Sequence, residues 1–156
     1  MLVLNGPNLQ RLGAREPDVY GVIRFAEVGA ALAGAAPEGV EVDLRQTDDE
    51  AELIGWLHEA ADTASPVILN PAAFAHYSYA LHDAVRVVTG AGLPVVEVHV
   101  TNPAAREAFR RESVIAPVAT GVIAGLGTDG YLLALDWVAR GRPRDEGVGE
   151  HPPAAG

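Results

Sequence analysis

The sequence predicts an α/β three-layer sandwich built on a five-stranded parallel sheet. Two observations carry this expectation. Five short runs rich in β-branched and aliphatic residues recur at intervals that leave room for crossover helices, and several are apolar almost throughout, as strands covered on both faces must be. The segments between them place apolar residues at helical spacing, and strand–helix alternation of this kind closes into a sheet with right-handed crossovers.

In chain order the strands are expected at residues 1–4, 40–44, 66–69, 94–98 and 118–124. Helices are expected at 25–35, 49–61, 77–89 and 128–140, with a shorter one over 104–111. The second helix opens on Asp48 and Asp49, side chains that cap free N–H groups, and its stripe Leu53, Trp56, Leu57 and Ala60 turns one face to the sheet. From Gly141 onward the run GRPRDEGVGEHPPAAG has no periodicity, so residues 1–140 read as one α/β domain and 141–156 as a disordered tail.

Composition narrows the chemistry. A chain of 156 residues with 49% apolar content can bury a real core. A formal charge of −10 argues against nucleic-acid and anionic-membrane partners, which call for basic faces. No apolar run approaches the roughly 20 residues of a membrane helix, and the N-terminus enters a strand without a secretory leader, so the expected location is cytoplasmic. There is no cysteine, which excludes thiolate catalysis and disulfides. All eleven basic residues are arginine, so Schiff-base chemistry and the P-loop lysine are excluded too. The histidines and carboxylates have no metal-ligand spacing, so no metal site is indicated.

In doubly wound sheets, ligands bind beyond the carboxyl ends of the strands. The residues that terminate the strand runs here are amides, an imidazole and a guanidinium: Asn5 leading to Asn8, then Arg45 and Gln46, Asn70, and His99 with Thr101 and Asn102. The stretch LNGPNLQRLGAREPDVYG adds Arg15 and Tyr20 in one loop. Populating a phenolate at neutral pH takes about 4 kcal/mol, because free tyrosine titrates near 10. A unit charge at about 4 Å in an effective dielectric near 20 supplies roughly that much. Arg15 and Tyr20 can therefore form a proton-abstracting base, the alternative being an ordinary loop aromatic beside a solvated charge. His99 can donate a proton to a leaving hydroxyl, or simply hydrogen-bond at a strand end. His76 reads as a hydroxyl ligand or a helix-entry residue. Arg106 and Arg110, one helical turn apart, suit a small carboxylate or form a solvated face with Glu107 and Glu112. GLGTDG matches a dinucleotide fingerprint, but it lies in the last strand–helix unit, where no later strand can supply the ribose-binding acid. A tight turn and close helix–sheet packing account for its glycines.

Taken in order, LNGPNLQRLGAREPDVYG, RQTDDEAELIGWLHEA, VILNPAAFAHYSYALHDA, LPVVEVHVTN, AREAFRRES and GLGTDGYLLAL resemble the type II 3-dehydroquinate dehydratases over about residues 2–140. The resemblance implies a flavodoxin-like fold, a homododecamer of four trimers, no cofactor, and loss of water from a cyclic hydroxy acid through an enolate. It implies Tyr20 as base with Arg15 as its activator, Asn8 at the enolate oxygen, and His99 as the acid. Asn70 with the backbone of Val100 and Thr101 would hold the substrate carboxylate, His76 and Arg110 the ring hydroxyls, and Asp83 would arrive from a neighbouring subunit. The loop from Gln10 to Tyr20 would close over the substrate. Ala104, Glu112, Val114, Ala116, Ala75, Tyr77 and Tyr79 differ from the residues usual in that family. Two other readings stay open at this stage: a paralogue acting on a related cyclic polyol acid, and a non-catalytic assembly protein on the same scaffold.

Overall fold

The computed structural model describes residues 1–13 and 23–141. Arg15, Tyr20 and the tail expected from residue 141 onward, apart from Gly141 itself, lie outside the described residues. The strands are β1 (Leu2–Asn5), β2 (Asp43–Gln46), β3 (Val67–Asn70), β4 (Val95–His99) and β5 (Gly121–Ala124). The helices are α1 (Phe25–Ala35), α2 (Glu50–Asp62), α3 (Tyr79–Gly90) and α4 (Asp129–Ala139). The sheet has the order β2-β1-β3-β4-β5 and every pairing is parallel, a flavodoxin-like α/β architecture.

Side chains alternate across a strand, and the two faces of the sheet nucleate two cores. Leu2, Leu4, Val67, Leu69 and Val95 pack with Leu53 and Leu57 of α2 and with Leu81, Ala84, Val85 and Val88 of α3. Val3, Ile68, Val96 and Val98 pack on the other face with Val28 and Leu32 of α1 and with Tyr131, Ala134, Leu135 and Val138 of α4. The anticipated cap of α2 is present, with the Asp49 carboxylate accepting from the N–H of Ala51 at 2.8 Å. Among the described residues no helix is long and apolar enough to cross a membrane.

Four elements depart from the sequence expectation. β5 begins at Gly121 rather than at 118, because the chain turns just before it, the N–H of Val118 donating to the carbonyl of Ile115 at 3.0 Å. The second strand begins three residues late, so that Arg45 and Gln46 belong to it rather than follow it. This is an edge strand, and a polar sequence is tolerated where one side meets solvent. α3 starts at Tyr79 because Ser78 caps it, its hydroxyl accepting from the N–H of Leu81 at 2.9 Å, while 72–76 form a 3-10 turn. The short helix expected over 104–111 is two 3-10 turns, Pro103–Ala105 and Ala108–Arg110, because the backbone at Arg106 is extended and breaks the helical path.

Candidate active site

Strand order reverses between β1 and β3, whose terminal asparagines Asn5 and Asn70 are direct register partners. Beyond this point a cleft of about 740 Å³, its open mouth included, is lined by Asn8, Asn70, His76, His99, Val100, Thr101, Arg106 and Arg110, together with Pro7, Leu9 and Leu12. A concave site at the switch point, with a few convergent polar groups, suits a small-molecule ligand. The sheet thus brings together seven of the residues singled out from the sequence as catalytic or substrate-binding: Asn8, Asn70, His76, His99, Val100, Thr101 and Arg110. Asp83 is exposed on α3 and does not line the cleft. Arg45 also points elsewhere: it makes two hydrogen bonds to Glu59, at 2.6 and 2.7 Å, binds Asp43 at 2.6 Å and lies over Trp56.

The loop after β1 is held from two sides. Gly6 passes so close to β3 that an added Cβ would sit 2.5 Å from the carbonyl oxygen of Pro71. Asn8 takes a left-handed conformation (φ 67°), which asparagine tolerates, and its N–H donates to Asp48 at 2.7 Å. Gln46 reinforces the same carboxylate at 2.9 Å.

His99 is almost completely buried at the end of β4, and its Nε2 lies 2.6 Å from Oε1 of Glu97, two residues earlier on the same face. Ser113 donates to the same oxygen at 2.7 Å while accepting the N–H groups of Ile115 and Ala116, both at 3.1 Å. Glu97 is fully buried, and its Oε2 has no hydrogen-bond partner. With Nε2 committed to Glu97, Nδ1 is the ring nitrogen left to His99 for a ligand. Glu97 was not anticipated from the sequence. The signal was there in VVEVH, where a carboxylate in an apolar strand stands at period-two spacing from the strand-end histidine.

His76 is oriented through Nδ1, 2.8 Å from the carbonyl oxygen of Glu112, and stands edge-on to Phe109. Arg110 stacks on Phe109 and binds Glu107 at 2.9 Å. Arg106 also reaches Glu107, at 3.4 Å. The backbone N–H of Glu107 itself, then Arg110 and Arg106, hold that carboxyl below its usual range. Both guanidinium groups thus meet the same carboxylate at the rim of the cleft.

The GLGTDG turn is structural. Gly125 (φ +86°) lets the turn approach Asn102, where a Cβ would meet the Asn102 side chain at 3.0 Å, and its N–H donates to the carbonyl of His99 at 3.1 Å. Gly127 donates to the carbonyl of Val100 at 2.9 Å, and Gly130 lies against Val98. These glycines serve the segment that carries His99, Val100 and Thr101.

Comparisons with known proteins agree with this fold. The family described as dehydroquinase class II matches residues 1–139. A 3-dehydroquinate dehydratase of Kineococcus radiotolerans is 60% identical over 140 residues, covering 89% of this chain and 94% of that protein. The crystal structure of type II dehydroquinase from Propionibacterium acnes superposes with a TM-score of 0.85 at 50% identity, covering 90% of this chain and 95% of that one. A type II dehydroquinase from Butyrivibrio crossotus gives 0.83 at 37% identity, covering 86% and 93%. With fold and sequence in agreement over nearly the whole described length, the chain belongs to the class II dehydroquinase family.

Proposed function

We propose that this chain dehydrates 3-dehydroquinate to 3-dehydroshikimate by anti elimination through an enolate, as a carbon–oxygen lyase. Tyr20, activated by Arg15, removes a proton from C2 beside the ketone. Asn8 stabilises the enolate oxygen. His99 then protonates the C1 hydroxyl, the C1–O bond breaks, water leaves and the conjugated double bond forms. Asn70 with the backbone of Val100 and Thr101 holds the carboxylate, and His76 and Arg110 hold ring hydroxyls.

The observation that carries this reading is the buried Glu97–His99 pair at the mouth of the cleft, with 2.6 Å between carboxylate and imidazole. An acid that must deliver a proton to a poor leaving group is helped by a fixed anion behind it, because the anion stabilises the imidazolium and orients the ring. The all-arginine basic complement agrees with a route that needs no imine. Asp83, exposed on α3, suits the proposed contribution to a neighbour's site within a dodecamer of trimers.

The test is an absorbance assay for the conjugated product, run on wild type, Tyr20→Phe and His99→Ala. Each substitution is expected to lower kcat by about 10²–10⁴-fold, the usual contribution of a positioned acid or base. Borohydride added with substrate should leave activity intact. Absence of product from the wild-type protein, or full activity in Tyr20→Phe, overturns the reading.

A further inference from the structure

We propose that Tyr131 is a positioning residue for the anion-binding end of the cleft, acting through Asn70. The proposal rests on the reaction assigned above and adds a residue outside the cleft lining. Tyr131 sits on α4, fully buried, and its hydroxyl donates to Oδ1 of Asn5 at 2.6 Å while accepting from Nδ2 of Asn70 at 2.8 Å.

The direction of this chain of bonds is forced. Nδ2 of Asn5 faces two backbone carbonyls, those of Val3 at 3.3 Å and Arg45 at 3.0 Å, and a carbonyl can only accept. Its nitrogen therefore points to the sheet and its oxygen to Tyr131. That oxygen also only accepts, so the single hydroxyl proton goes to Asn5 and the phenol presents a lone pair to Asn70. The lone pair requires an N–H, which turns the nitrogen of Asn70 toward Tyr131 and its oxygen toward the N–H of Ala72, 3.2 Å away. The two ends of the network, the β1 and β2 carbonyls and the Ala72 N–H, demand the same polarity.

The consequence lies at the cleft. An asparagine can present either a donor or an acceptor to a ligand, and the wrong choice repels a carboxylate. The Tyr131 hydroxyl selects the orientation in which one N–H of Asn70 remains for the cleft that Asn70 lines. Burial pushes the Tyr131 phenol well above its ordinary titration range, so the hydroxyl keeps its proton throughout the working pH.

The experiment compares wild type with Tyr131→Phe, using 3-dehydroquinate and its neutral methyl ester. Removing the hydroxyl is expected to raise KM for the acid about tenfold, the effect of one mispaired buried polar group. The ester should be nearly unaffected, and kcat should stay within about threefold. In an Asn70→Ala background the same substitution should add nothing, because neighbours acting through one contact are not additive. Equal effects on acid and ester, no effect on either, or additivity with Asn70→Ala overturns the proposal. A wild-type protein inactive on 3-dehydroquinate would instead remove the reaction itself. The bond network is then judged by NMR, which also decides if Tyr131→Phe does not fold. A slowly exchanging Tyr131 hydroxyl proton, with a cross-peak to the Asn70 amide protons, supports it, and absence of that signal overturns it.

Discussion

The Glu97 carboxylate and the His99 imidazole share one face of β4, in contact at 2.6 Å, in a strand whose five residues are all buried. A charged side chain in that setting is expensive unless it is paired, and Ser113 supplies the second hydrogen bond. Glu97→Gln keeps the shape and an acceptor oxygen but removes the anion. The expected outcome is a loss in kcat of about 100-fold, with KM changed little, because the effect falls on the proton-transfer step. Steady-state kinetics check it, and a wild-type kcat would detach Glu97 from the chemistry.

His76 is oriented by a backbone carbonyl, so the side chain at position 112 should not matter to it. Glu112→Ala is expected to leave KM unchanged, whereas His76→Ala should raise it about tenfold, the effect of one lost polar contact. The comparison explains how a departure from the usual residue at position 112 leaves this contact in place. A KM shift in Glu112→Ala as large as that in His76→Ala would contradict it.

Gly6 has no space for a methyl group, because the Pro71 carbonyl stands 2.5 Å from where it would lie. The obstacle is backbone rather than a movable side chain. Gly6→Ala should therefore lower stability by about 1–3 kcal/mol and displace the loop that carries Asn8. Thermal melting reads the first effect and kcat/KM the second. An unchanged melting temperature would show that the two loops separate freely.

Glu59 titrates below its ordinary range when folded, because the Arg45 guanidinium donates to it. Its stabilisation is complete above the unfolded value of about 4.3 and is lost as pH falls through the lower folded value. The melting temperature of wild type should accordingly fall more steeply than that of Glu59→Gln below about pH 4.3. Parallel curves would mean the pair contributes nothing to stability.

Much of the architecture was legible because strands buried on both faces must be continuously apolar, and such runs are hard to mistake. β2 was misplaced for the same reason: an edge strand that reads DLRQ carries little of that signal. Asn70 and His99 were legible as polar residues ending apolar runs, and Asn8 and His76 as polar residues on the segments that follow such runs. Glu97 and Tyr131 were not, because each works from inside the core, where a polar side chain looks like an exception until its partner is seen. The grouping of Arg106 and Arg110 was anticipated on a wrong premise: no helix joins them, and their shared contact with Glu107 does.

The register between β1 and β3 sets Asn5 level with Asn70, while β4 carries His99 two residues beyond the pairing of Leu69 with Glu97. These side chains inherit their spacing from the ladder of the sheet rather than from connecting segments. A one-residue insertion within β4 would therefore turn the His99 imidazole to the opposite face of the sheet, away from the cleft, whereas a change of length in a connecting segment would leave these positions where they are.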